Sequence, residues 1–236
     1  MTALLDGVPP RALAVYAHPD DAEVSCGGTL ARWVAAGSEV HLVVCTQGEK
    51  GTLDPGADAA ALGRQRAAEV EQAAAALGLA GCTVLGYPDG EVDDDLVLRG
   101  ALVRAVRTHR PHTVLCPDPT AVIFGDQYVN HRDHRVVGAA CLDAVAPAAA
   151  RPLYFPEAGP PHQVAEVLLS GTLQPGVWVD VTATVDAKVA AVACHRSQFA
   201  DGGAWAAAAV RARAEEEGRR AGVACAEAFR RLRLDA

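Results

Sequence analysis

The sequence predicts an α/β fold: a three-layer, Rossmann-like sandwich with a mostly parallel sheet and its active site at the carboxyl-terminal ends of the strands. Three observations carry this expectation. Short runs rich in Val, Leu and Cys recur at 11–17 (RALAVYA), 38–46 (SEVHLVVCT), 82–87 (CTVLGY) and 113–117 (TVLCP) and read as buried strands. Helical patterns fill the gaps at 22–36, at 58–78, where Gly78 stops the helix, and at 95–108. Strand and helix alternating at this spacing imply parallel strands joined by right-handed crossovers, with helices on both faces of the sheet.

The second half is less regular. Residues 134–149, 183–198 and 204–222 have helical patterns, while 164–171 and 176–182 read as strands. FPEAGPPH at 155–162 reads as surface turns. Basic residues gather in RARAEEEGRR and FRRLRL near the end, among acids, and read as a solvated helix face. No repeat or low-complexity linker interrupts the chain, so one domain spanning 1–236 is expected.

Composition excludes several functions. Half the residues are hydrophobic and 21% are charged, a balance too apolar for a disordered chain. A net charge of −8 argues against general affinity for nucleic acid or an anionic membrane. There is no run of about 18 apolar residues, and MTALLDGVPP lacks a basic region followed by an apolar segment, so a soluble cytoplasmic protein is expected. The seven cysteines form no CxxC pair and fall in core-like segments; buried, reduced thiols fit better than disulfides or a thiolate metal site.

In an open parallel sheet, ligands bind where loops leave the carboxyl ends of the strands. The first predicted strand delivers His18, Asp20 and Asp21 to that rim in YAHPDDAEVSCGG. A dinucleotide site would need GxGxxG there, and these carboxylates would repel a pyrophosphate. A cation fits better. Pro19 stiffens the turn, so that His18 before it and Asp21 at the helix head can converge on one metal, with Asp20 facing the same cavity. The plainer alternative is that one aspartate caps the helix and His18 is a satisfied core histidine. A second cluster, GDQYVNHRDHR at 125–135, follows the fourth strand. His131 and His134 are one helical turn apart and can face the same side. Mixed His and Asp sets suit a divalent ion such as zinc, and three protein ligands with an open position make a catalytic rather than a structural site. The other histidines read as structural or solvated; His195, in CHRSQF at a helix end, has the strongest remaining claim on the site.

AHPDDAE and HRDH, taken in order with TQGEKG, RAAE (66–69), LGYPDGEV (85–92), KVAAVACHRSQ (188–198) and CAEAF (225–229), resemble the PIG-L/LmbE-like family of zinc-dependent de-N-acetylases. The resemblance implies that His18, Asp21 and His134 bind the metal and that Asp20 is the general base. His131 would stabilise the oxyanion and Asp133 would pair with it and keep it charged; either Asp20 or His131 would protonate the leaving amine. Arg66 matches an arginine that helps bind substrate in relatives. Asp89 would lie on a site loop without an assigned step. Tyr128 stands three residues ahead of His131, whereas some members have a tyrosine almost adjacent to this motif. The cofactor implied is one Zn²⁺ per chain, with iron, cobalt or manganese able to use the same ligands. The partner implied is a small N-acetylated amino sugar of the N-acetylglucosamine type, and relatives of this length suggest a homo-oligomer. Three other readings stay open: a metal phosphoesterase, which would often need more ligands for a second metal, an amidase acting on a thiol–sugar conjugate, and a non-enzymatic metal-dependent sugar-binding or scaffold protein, which predicts a lost base or ligand where every expected position is filled here.

Overall fold

A computed structural model describes residues 3–199 and 204–234. In chain order the elements are β1 (Ala3–Leu4), β2 (Arg11–Tyr16), α1 (Asp21–Ala35), β3 (Glu39–Thr46), α2 (Ala59–Leu77), β4 (Gly81–Tyr87), α3 (Leu96–His109) and β5 (Thr113–Pro117). There follow β6 (Ile123–Phe124), β7 (Tyr128–Val129), α4 (Arg132–Val145), β8 (Glu166–Ser170), β9 (Val177–Asp180), α5 (Val185–Val192), α6 (Ala204–Ala221) and β10 (Ala226–Arg233). One sheet of eight strands runs in the order β1-β9-β10-β8-β5-β2-β3-β4, and β6 and β7 pair as a separate hairpin. Every neighbouring pair in the large sheet is parallel except those of β10, which runs antiparallel to both β8 and β9.

The strands are apolar on both faces because both are covered. Ala12, Ala14 and Tyr16 of β2 join one core with residues of α1, α2, α5 and α6. Leu13 and Val15, pointing the other way, join a second core with α3 and α4. The alternation follows from the two-residue period of a strand. These are the three layers that the sequence predicts, and the first four predicted strands and three helices coincide with observed elements to within a residue or two at each end.

The tail departs from expectation. FRRLRL belongs to β10 and not to a helix face. Its charges are accommodated because Arg231 pairs with Glu166 on β8, and Glu227 is buried against Lys188. Paired on both edges, β10 hides its strand character behind charged residues whose partners lie far away in sequence. The predicted helix at 183–198 ends at Val192, and the chain turns so that the backbone N–H and hydroxyl of Ser197 donate to Glu69 at 3.0 and 2.6 Å. Among the described residues, no helix is long and apolar enough to cross a membrane.

Two features set the strand-end loops in place. Gly138 lets α4 close on the end of β5, since a Cβ there would stand 2.4 Å from the Pro117 carbonyl oxygen. Arg107 of α3, only 3% exposed, gathers the loop after α4: its guanidinium donates to the carbonyls of Ala148, Ala149, Arg151, Tyr154, Phe155 and Gly159. No lysine has that many donors in one plane. Replacing it strands several carbonyls, so Arg107→Met should lower the free energy of unfolding by about 3 kcal/mol or more; an equilibrium denaturation curve displaced by less than a third of that would contradict this account.

Candidate metal centre and active site

The site forms where β2 passes into α1 and where the β6–β7 hairpin passes into α4. Asp20 occupies the N-cap of α1 with φ 92°, a left-handed conformation, and its carboxylate makes no capping hydrogen bond. A strained non-glycine residue held at a cleft points to a functional demand on its position. The Asp21 carboxylate instead receives the His18 backbone N–H at 2.8 Å. Neither aspartate therefore acts as an ordinary side-chain cap.

Three donors converge. His18 Nδ1 lies 3.1 Å from His134 Nε2 and 3.4 Å from Asp21 Oδ2, and His134 Nε2 lies 3.1 Å from Asp21 Oδ1. The opposite nitrogen of each ring is anchored. His18 Nε2 faces Asp89 Oδ1 at 3.1 Å and Asp133 Oδ2 at 3.3 Å, and His134 Nδ1 faces Asn130 Oδ1 at 2.9 Å. Those acceptors fix a proton on the outer nitrogens, so the inner nitrogens present lone pairs to one another and to a carboxylate. That arrangement is repulsive unless positive charge sits at the centre. Two imidazoles, a carboxylate and ordered outer-shell acceptors are the donor set of a borderline divalent cation, so the residues present fit a metal.

Protons fill that need when no ion is bound. Burial opposes a charge on His18, but hydrogen bonds to Asp133, Asp21 and Asp89 outweigh it and push the imidazole up to about 12. His134 is raised in the same way, burial being overcome by Asp21. Burial likewise works against ionisation of Asp21, yet His134 and His18 hold it far below the usual carboxylate range. Asp20 goes the other way, pushed up to about 7 by burial and then by the adjacent Asp21 charge.

His131 differs from the sequence reading. It is the N-cap of α4, and its Nδ1 accepts the Asp133 backbone N–H at 3.2 Å. Its ring packs edge-on against His18, with centroids 4.7 Å apart. The expected pairing with Asp133 is loose: Asp133 Oδ2 is 4.0 Å from His131 Nδ1, while it takes the Gly90 N–H at 2.7 Å and lies nearer to His18. Burial and then the His18 charge hold His131 below its ordinary value, outweighing Asp133. Asp133 thus orients His18 rather than charging His131. A second His–His–Asp group, His18, His131 and Asp133, is close enough to hold an ion, but its donors are the ones already engaged by these hydrogen bonds.

Arg66, 2% exposed, borders the same cleft. Its terminal nitrogens donate to the carbonyls of Gly48 and Gly51, so it shapes the loop after β3, and a Cβ at Gly51 would press on the guanidinium and make it shift. The cleft, about 200 Å³, is also lined by Asp20, Asp89, His131 and Gln198. His195 is not part of that lining; it is fully buried, with Nε2 3.3 Å from Glu23 Oε2. Asn130 and the contact of Asp89 with His18 escaped the sequence reading. The asparagine's adjacency to HRDH is the one signal that could have exposed it.

Fold and constellation together define a Rossmann-like α/β protein with a candidate cation site on the carboxyl rim of its sheet. The chain belongs to the PIG-L family, described as GlcNAc-PI de-N-acetylase, whose model matches residues 13–145. It is 31% identical to a diacetylchitobiose deacetylase of Thermococcus kodakarensis over 80% of this chain and 70% of that protein. It is also 31% identical to a 1D-myo-inositol 2-acetamido-2-deoxy-alpha-D-glucopyranoside deacetylase of Rhodococcus jostii, over 80% and 81%. The solved N,N'-diacetylchitobiose deacetylase from Pyrococcus horikoshii superposes with a TM-score of 0.86 at 29% identity, covering 95% of this chain and 84% of that one.

Metal uptake must displace the protons on His18 and His134. Because both are raised, the ion-free site keeps these protons through the ordinary imidazole range and gives them up only at higher pH, so affinity increases with pH. Calorimetric titration at pH 6.5 in buffers of different ionisation enthalpy should show proton release on binding; zero release would contradict this electrostatic picture. Asn130→Ala should weaken the metal by about 10- to 100-fold while leaving all three donors present, read by competition with a chelating dye.

Proposed function

We propose that this chain is a metal-dependent hydrolase that removes an N-acetyl group from an N-acetylglucosamine-type conjugate, releasing acetate and a free amine. The observation that carries the reading is the convergence of His18, Asp21 and His134 with a fourth group, Asp20, left without a capping bond beside them. Those three residues would hold a zinc ion. Bound there, zinc supplies Lewis acidity, making water more acidic and an amide carbonyl more electrophilic.

The chain's own groups account for the rest. An amide needs water deprotonated and its nitrogen protonated as the C–N bond breaks. Asp20, with its proton affinity raised to about 7 in the ion-free protein, is matched to accept the water's proton near neutral pH. His131, with Nδ1 taking a backbone N–H, carries its ring proton on Nε2 and offers that N–H to the developing oxyanion. The imidazole does this as a neutral donor, which replaces the charged form that pairing with Asp133 would have required. Collapse then places the proton gained by Asp20 on the departing nitrogen. Arg66 fixes the 48–51 loop that forms one wall for the sugar, and Asp89 and Asp133 hold His18 on its axis.

The roles separate under substitution. Asp20→Ala should retain the metal and lose about 10²- to 10⁴-fold in kcat, whereas Asp21→Ala should lose the metal itself. Metal content by elemental analysis and free-amine release from N-acetylglucosamine conjugates check both; equal metal content together with equal activity in the two variants would refute the assignment.

A further inference from the structure

The constellation stands between two cavities of unlike character, and Asp21 lines both. The polar cleft, with Asp20, Arg66, Asp89 and His131, lies on one side. On the other a larger cavity of about 440 Å³ touches Asp21 and His134 and runs along α6 and β10. Its apolar walls come from Val24 of α1, Phe124 and Tyr128 of the β6–β7 hairpin, Ala214 of α6, and Ala226 and Ala228 of β10.

The charged groups on this wall are largely satisfied by the protein. Lys188 Nζ donates to Glu227 Oε1 at 2.5 Å and to the Val24 carbonyl at 2.8 Å. Glu227 also receives the backbone N–H groups of Gly28 and Thr29. Glu217 takes the Trp178 indole N–H at 2.8 Å and an Arg220 contact, and Arg213 is exposed. What remains for a ligand, beside Ser25 and Arg213, is a mainly apolar surface opening next to the metal donors.

The two substituents of the reacting amide differ in the same way. A sugar needs hydrogen-bonding partners, and an acyl chain needs none. An apolar cavity of about 150 Å³ already takes up a benzene-sized guest, so an acetyl methyl would leave most of this one unfilled. We propose, resting on the N-deacetylase reading above, that the cavity is an acyl chamber and that the substrate class extends to amino sugars N-acylated with longer chains, from butyryl to octanoyl. The chemistry is unchanged. Water's oxygen bonds to the acyl carbon, the C–N bond breaks, one water proton passes to the nitrogen, and the carboxylic acid ionises to solvent.

Metal-loaded protein is assayed for free amine from N-acetyl-, N-butyryl-, N-hexanoyl- and N-octanoylglucosamine, and acetate and hexanoate binding is followed by calorimetry. Each methylene buried should raise kcat/KM by roughly fourfold, so the hexanoyl substrate should exceed the acetyl one by at least tenfold, and hexanoate should bind tighter than acetate. Ala228→Phe, and more mildly Ala228→Val, should lower the hexanoyl-to-acetyl ratio, the former by at least tenfold. A rate that falls from acetyl to butyryl, a ratio unmoved in both variants, or variant effects that follow the amine-side substituent would overturn the chamber while leaving deacetylation intact. Absence of amine from every substrate, acetyl included, would overturn the parent reading and the chamber with it.

Discussion

Two imidazole lone pairs and a carboxylate aimed at a common point form an arrangement that disfavours itself. His18 Nδ1 and His134 Nε2 stand 3.1 Å apart across Asp21, and only positive charge between them relieves the repulsion. Much of the surrounding structure serves to keep this focus from relaxing. Asp89 and Asp133 prevent His18 from rotating, Asn130 does the same for His134, and the Asn130 amide is itself held by the Ala121 carbonyl at 2.7 Å. The sheet supplies the larger frame, since β2 and β5 are neighbours and their carboxyl ends bring segments more than 110 residues apart in sequence to within hydrogen-bonding range.

The same focus explains why Asp20 and Asp21, adjacent in sequence, behave oppositely. Asp21 faces both imidazoles and is held ionised, while for Asp20, in a left-handed backbone conformation, burial and its neighbour's charge prevail. Two adjacent aspartates thus take opposite directions, one held ionised by two imidazoles and the other raised by burial beside a like charge.

Much of this was legible in the sequence where local pattern decides the outcome. Buried parallel strands have near-continuous apolar runs, so β2, β3, β4 and β5 could be read directly, and HPDD and HRDH announced themselves by position at strand ends. What could not be read depends on contacts made across the fold. Sequence spacing put Asp133 beside His131, yet the carboxylate's partners are His18 and the Gly90 amide, brought there by another loop. Asn130 drew no attention because its partner, His134, is significant only once His18 stands opposite. β10 was disguised because Glu227 and Arg231 find counter-ions on α5 and β8, which no window of its own residues contains.

β10 has a consequence for the order in which the molecule can be completed. It is the last of the described strands in sequence but lies in the interior of the sheet, between β8 and β9, and among the described residues β1 joins the rest through β9 alone. β9 and β1 therefore gain a seat on the main sheet only once β10 is in place, so the sheet does not grow strand by strand in sequence order. Glu227 travels on that strand to the buried amides of Gly28 and Thr29, so the strand that joins the two parts of the sheet also anchors the helix that begins with Asp21.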